Sequence, residues 1–494
     1  MLFHSVEYAI FFAFVLVAYW GLARNQTSRA LLLVLASAWF YTRFDYGKAA
    51  EGKHLGWVYL GVLCASATLD FFLAQAIASV DTPDPIRAAR RRRQLLIVSV
   101  AYNLGVLAYF KYTGFAVETV RSMAASAGLH IAPVVTKLIL PIGISFFTFE
   151  TLSYTVDVYR RELVPLRGWR GFLDYLVFIS FFPHLAAGPI IRPKDMLPQL
   201  TRAPIFEETR ASEAIFLIAT GLLKKVLLAD YLGLNLVDRV FDRPEWFSAP
   251  ECLAAVYGYA LQIYGDFSGY TDCAIGSAML LGIALPPNFR TPYRSRDLQE
   301  FWRRWHISLS SWLRDYLYIP LGGSKRGEVA TYRNLMITML LGGLWHGASW
   351  NFVVWGALHG AALAVVRILQ RRRERLGKTR LETPWARALG VIATFHYVCF
   401  AWVFFRADGF AQARAMLRQI VFGGWHLTNL PATVALAIVA GFVAHALPDD
   451  LVDRIKRSFS GLPAPLQGAA LFGVAWTIKT VGSAQVVPFR YFQF

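Results

Sequence analysis

Two histidines, each directly after a tryptophan, are the side chains best suited to chemistry in this chain. One closes Phe301-Trp302-Arg303-Arg304-Trp305-His306; the other stands in Leu344-Trp345-His346-Gly347-Ala348-Ser349-Trp350-Asn351. A neutral imidazole takes up a proton near neutral pH, so the reaction class that fits is base-driven transfer: a histidine removes a proton from a hydroxyl while the oxygen attacks an activated acyl carbon. No Walker A loop, GxGxxG after a strand, HExxH or GxSxG occurs, so phosphoryl transfer, hydride transfer, zinc hydrolysis and a serine-hydrolase elbow lack their usual marks. Cys64, Cys252, Cys273 and Cys399 stand singly in apolar surroundings without metal spacing, which reads as core packing and no metal.

The elements around these histidines read as membrane. The chain has 494 residues, 56% hydrophobic and 17% charged, with mean hydropathy +0.42, too apolar for a soluble protein of this length. Residues 335–369 form two apolar arms around Gly342, Gly343 and Gly347, with basic outer ends. That hairpin puts His346 deep, beside a loosened turn. Trp302, Trp305, Leu309, Trp312 and Tyr316 recur three and four apart, one face of a helix too polar to cross lipid. This helix is expected at the cytoplasmic interface or dipping into the core, with His306 beside its aromatic face as a chemical group or a packed, hydrogen-bonded one. His359, thirteen positions after His346, points to another helix face and is the weaker candidate, equally readable as a packed histidine.

Fifty Lys+Arg against 32 Asp+Glu give a formal charge of +18. The basic residues gather in short loops, with residues 86–93 the strongest cytoplasmic marker, so orientation in a membrane explains the charge and no nucleic acid is expected as a partner. Spans are predicted at 6–23, 30–44, 55–78, 94–117, 138–159, 214–240, 253–285, 391–405, 432–447 and 468–481, with 172–191 bent or re-entrant at Pro183, Gly188 and Pro189. Glu150 and Asp157, Lys224, Lys225 and Asp230, and Asp266 and Asp272 lie at membrane depth, where charge is functional or structurally paired. The fold class is thus an all-α polytopic membrane protein of about eleven crossings plus re-entrant and interfacial helices. It is read as one domain, 1–494, with a core at 301–360 and a tail at 483–494, both termini outside.

The two Trp-His blocks resemble the membrane-bound O-acyltransferase (MBOAT) superfamily, and most closely its bacterial alginate O-acetyltransferase branch. Supporting blocks stand at 141–149, at Phe181-Phe182-Pro183 through Gly188-Pro189, at 264–272 and at Asn288-Phe289-Arg290-Thr291-Pro292-Tyr293. The resemblance implies helices around a central tunnel, with acetyl-CoA as donor on the cytoplasmic side of the bacterial inner membrane and no permanently bound cofactor. His346 would match the superfamily's catalytic histidine, here the general base. His306 would match the second active-site position, orienting the donor or stabilising the oxyanion. Asp266, Asp272, Arg314, Trp305, Trp345, Trp350 and Asn351 are candidates for the tunnel wall.

In that branch the acyl group crosses the membrane to an extracytoplasmic, esterase-like partner protein that decorates a polysaccharide. The ending Phe489-Arg490-Tyr491-Phe492-Gln493-Phe494 is similar to the Phe-x-Tyr-x-x-Phe tail of teichoic-acid D-alanylation systems, which makes Tyr491 a candidate acetyl acceptor in cis; an aromatic belt is the other reading. A transporter, suggested by broken helices and buried charge, and a non-catalytic scaffold of a polysaccharide export complex are the alternatives.

Overall fold

The computed structural model describes residues 3–43, 55–132, 138–379 and 383–481. Tyr491 and the rest of the predicted tail lie outside them. Among the described residues every regular element is helical, and helix starts follow local chemistry. Ser5 caps α1 (Val6–Gly21) and Asn25 caps α2 (Gln26–Thr42). After α3 (Leu55–Ala78), Asp84 accepts from the Ile86 and Arg87 amides to open α4 (Pro85–Ser126) with Pro85 in its first turn. The arginine run at 86–93, expected as a loop, is therefore the first turns of α4. Arginine is a good helix former, and a cap placed before the run is enough to start the helix.

Chain packing divides the protein into two compact units. Unit one comprises Met1–Ala214 and Ala274–Pro286. Here α5 (Ile144–Tyr159) is buried almost all round and packs on α3 and α4. Asp70 of α3 accepts hydrogen bonds from Ser99 Oγ (2.5 Å) and Asn103 Nδ2 (2.6 Å) of α4. The predicted re-entrant stretch is α6 (Gly168–Ser180) and the single turn α7 (Phe182–Leu185), followed by extended chain into α8 (Pro193–Leu200). It is buried, and Glu150 on α5 ties it down: His184 Nε2 lies 3.2 Å from the carboxylate, and the Ile191 amide donates to Oε1 at 3.2 Å. Those bonds satisfy backbone and side-chain groups that the prolines leave without helical partners.

The chain enters unit two, Ile215–Cys273 and Pro287–Phe494, within α9 (Glu208–Leu223). Two π-helical stretches, Lys224–Asp230 and Gly233–Val237, continue into α10 (Asp238–Asp242). α11 (Ala249–Leu280) runs unbroken past Gly265 and Gly269. Far from weakening it, the glycines let backbones meet: a Cβ on Gly269 would stand 2.5 Å from the Gly221 carbonyl oxygen. Lys225 on the π-helical turn reaches Asp230 (2.6 Å) and Asp266 of α11 (2.7 Å), and Lys224 reaches Asp272 (2.6 Å).

The remaining helices are α12 (Leu298–Arg304), α13 (Ile307–Trp312), α14 (Glu328–His346), α15 (Trp350–Arg375), α16 (Pro384–Arg406), α17 (Phe410–Phe422), α18 (Ala432–Ala446), α19 (Asp449–Ser460) and α20 (Ala464–Val481). By length and composition α3, α4, α15 and α16 can each cross a membrane, and α18 with α19, bent by 90°, makes a fifth candidate. Of the other expected spans, α1 is shorter and 172–191 is divided at its prolines, whereas α11 and α20 are unbroken helices outside the candidate set.

Candidate active site

Both Trp-His pairs fall in unit two, and their surroundings explain why. α14 and α15 form the hairpin expected from the sequence. Gly343 faces the Phe352 carbonyl and Gly356 the Met339 carbonyl so closely that no Cβ would fit, which brings the two helix backbones together. His346 is the last residue of α14; the turn that follows, Gly347, has its Cβ position filled by the Phe352 ring, and Ser349 caps α15. His346 is 4% exposed and is walled by Trp345 (5.1 Å between ring centroids), Trp355 (5.0 Å) and Phe405 of α16 (5.2 Å).

The amphipathic helix expected through His306 is broken there. His306 takes a left-handed conformation (φ 43°, ψ 55°), ending α12 and starting α13 on a new axis. For a residue with a Cβ this costs about 1–2 kcal/mol. The turn is held by Asn288: its backbone oxygen accepts from the Ile307 amide (2.9 Å), and its side-chain Oδ1 lies 3.2 Å from Ser308 N, 3.0 Å from Ser308 Oγ and 3.1 Å from His306 Nδ1. The result is that His306 turns inward and is fully buried against Phe267 (4.7 Å) and Trp345 (5.9 Å). This turn lies outside the candidate spans, and its burial pushes the imidazole down to a pKa of about 3, so the ring is neutral.

The two rings therefore meet, 6.4 Å apart centre to centre. The break at His306 is what brings its ring to the deep turn that carries His346. His359 joins the same aromatic cluster through Trp355 (4.7 Å), and its Nδ1 receives the Trp302 indole N–H at 3.3 Å. That partner comes from α12, which the helical position of His359 on α15 does not reveal.

Trp302 also lines a cavity of about 560 Å³ bounded by α12, α13, the π-helical turn Leu313–Tyr318, α14 and α15. Its wall is apolar at Leu313, Leu335 and Met339, and carries Arg303, Arg314, Arg367, Ser310 and Ser311. Met339 stands seven residues before His346 on α14, about 10 Å along the helix axis at 1.5 Å per residue. Three guanidinium groups beside an apolar floor suit a ligand with an anionic head and an uncharged arm.

Of the other predicted site residues, Arg314 lines this cavity and also pairs with Asp315 (2.7 Å). Trp345 packs beside both histidines, and Trp305 is buried against Phe289, Phe301 and Trp402, one residue from His306. Asp266 and Asp272 are engaged by Lys225 and Lys224, the paired reading of membrane-depth charge. Trp350, the first residue of α15, is 51% exposed, and Asn351 donates from Nδ2 to the Ala407 carbonyl (2.7 Å), tying α15 to the end of α16. Sequence reasoning gave no role to Asn288, Trp355 or Phe405. Asn288 had a trace, a polar residue ahead of Thr291-Pro292 between two helices, but nothing local says which turn it will cap.

The chain matches the MBOAT, membrane-bound O-acyltransferase family, over residues 91–438. It is 35% identical to a probable alginate O-acetylase, AlgI, of Pseudomonas putida, the alignment covering 95% of each chain. A probable alginate O-acetylase AlgI of Pseudomonas aeruginosa is 38% identical over 87% of this chain and 77% of its own. A peptidoglycan O-acetyltransferase of Helicobacter pylori is 35% identical over 83% of this chain and 76% of its own. All three are O-acetyl-transferring proteins by name, and the match spans both histidines. With helices alone among the described residues and two buried histidines 6.4 Å apart centre to centre in unit two, the chain belongs to the membrane-bound O-acyltransferase family and is a membrane O-acetyltransferase.

Proposed function

We propose that this acetyltransferase draws acetyl from acetyl-CoA on the cytoplasmic side of a bacterial inner membrane and passes it outward for O-acetylation of a cell-surface polysaccharide. The observation that carries this reading is the paired histidines behind a cationic, apolar-floored cavity. The CoA phosphates suit Arg303, Arg314 and Arg367, and the uncharged pantetheine arm suits the surfaces of Leu335 and Met339.

His346 is the general base. As the acceptor oxygen forms its bond to the acetyl carbon, the imidazole takes the hydroxyl proton, the C–S bond breaks, and the departing thiolate of CoA regains a proton. A ring enclosed by Trp345, Trp355 and Phe405 is shielded from bulk water, which protects the thioester from hydrolysis. The acceptor is a hydroxyl delivered from the outer side, either of an extracytoplasmic partner transferase or of Tyr491 in cis, with both chain termini on that face. Alginate and peptidoglycan are the polymers named for relatives, and both present secondary or primary hydroxyls for the same chemistry.

Purified protein given acetyl-labelled CoA, with the acceptor polymers and membrane fraction added separately, tests this reading. Wild type is expected to transfer label to polymer and His346→Ala to lose transfer while keeping its melting temperature. Equal transfer by the alanine variant removes His346 from the chemistry. Acetyl-CoA left untouched by wild type, together with solute leak from proteoliposomes, favours a transporter. Full transfer by Tyr491→Phe rules out acetyl carriage on that phenol.

A further inference from the structure

The contacts of Asn288 go beyond holding a turn. Its side chain is 1% exposed, and its Oδ1 faces three donors: the Ser308 backbone N–H, the Ser308 hydroxyl and His306 Nδ1. A backbone N–H can only donate, so the amide atom facing Ser308 N is oxygen, and the orientation of the amide follows without choice. The same oxygen faces His306 Nδ1, which must then carry the ring hydrogen. In a neutral imidazole that leaves Nε2 as the bare nitrogen, able to accept a proton or a hydrogen bond and unable to donate one. His359 shows the opposite arrangement, since the Trp302 indole donates to its Nδ1 and so places the hydrogen on Nε2. The tautomer of each ring is thus set by one neighbour.

We infer that Asn288 is a positioning residue that locks His306 in the Nδ1–H tautomer, so that the neighbour of the general base His346 presents a hydrogen-bond-accepting Nε2. This rests on the placement of His306 in the active site proposed above. It replaces the oxyanion-stabilising role suggested for His306 by resemblance, because a bare Nε2 repels developing negative charge. The left-handed backbone at His306 serves the same end: with the Ile307 and Ser308 amides drawn to Asn288, the ring is fixed by its backbone and by its Nδ1 together.

The test compares Asn288→Ala, Asn288→Asp and His306→Ala with wild type in acetyl transfer from acetyl-CoA, reading kcat and KM across pH, with ring-nitrogen NMR of histidine-labelled protein. In Asn288→Ala, kcat is expected to fall about 10–100-fold, the scale typical of orienting partners, with KM for acetyl-CoA little changed and the His306 tautomer signature lost. Asn288→Asp keeps the accepting oxygen, so most of kcat and the signature should return. Its carboxylate favours the imidazolium, so the acid limb of the profile should move to higher pH; the rings seen against His306 include Phe267, Phe289, Trp345 and the imidazole of His346. A purely structural cap predicts a lowered melting temperature with unchanged kcat per folded enzyme and an unmoved profile, and that outcome overturns the inference. So does an Asn288→Asp enzyme that is folded yet as slow as the alanine variant. If His306→Ala is as active as wild type, the placement of His306 itself fails; if His306→Ala is dead while Asn288→Ala is normal, only the positioning role fails.

Discussion

The protein holds buried histidines in two kinds of setting. In unit one, His184 sits 3.2 Å from the Glu150 carboxylate, both 1% exposed, and the same carboxylate takes the Ile191 amide. In unit two, His306 is met by a neutral amide oxygen and His346 by aromatic rings. A carboxylate partner supplies a counter-charge, and its other oxygen ties a broken segment in place: this is a fastening. His306 meets a neutral amide oxygen instead, and burial keeps that ring uncharged, one residue from Ile307 on the wall of a cavity of about 560 Å³. The difference teaches that burial alone does not assign a histidine its role; the charge of its partner separates the two settings.

The sharpest way to break this comparison is to remove one ring from each setting. His346→Ala should lower kcat for acetyl transfer by about 10²–10⁴-fold, the range for a general base, with thermal unfolding in detergent unchanged. A large loss of stability in place of a loss of rate would put His346 in the same class as His184. On the other side, Glu150→Ala should destabilise by roughly 3–5 kcal/mol, the cost of breaking a buried pair, seen as a lower melting temperature, while kcat per folded enzyme is retained. Selective loss of kcat in this variant would make the unit-one pair part of the chemistry.

Smaller effects sharpen the comparison. Gly269→Ala places a Cβ 2.5 Å from the Gly221 carbonyl oxygen and should cost about 1–3 kcal/mol as overpacking, read as a melting shift without a change in KM. Arg303→Ala and Arg314→Ala, at the cavity wall, should raise KM for acetyl-CoA a few-fold, on the order of 1 kcal/mol each, and make KM less sensitive to salt while kcat holds. An unchanged KM in both would detach this cavity from donor binding.

Much of this organisation is legible in the chain itself. α3 has the span read from hydropathy, and the α14–α15 hairpin with His346 at its turn follows from two apolar arms, glycines and basic ends. These are local signals, each complete within a few helical turns. The arginine run read as a loop shows where such signals mislead: topology depends on charge, but helix formation there depends on the Asp84 cap and Pro85. The amphipathic stretch around His306 misleads in the same way, since three-four periodicity persists across a break and cannot reveal it.

The sequence by itself determined a polytopic helical membrane protein with two Trp-His pairs, because composition, periodicity and motif are properties of neighbouring residues. Only the tertiary structure decided that His306 leaves its helix, that it lies 6.4 Å from His346, that Asn288 sets its tautomer, and that Asp266 and Asp272 belong to lysines. Each of those facts is a contact between segments distant in sequence. Such contacts arise from burying polar groups together where water cannot satisfy them, a constraint that no single stretch of chain carries.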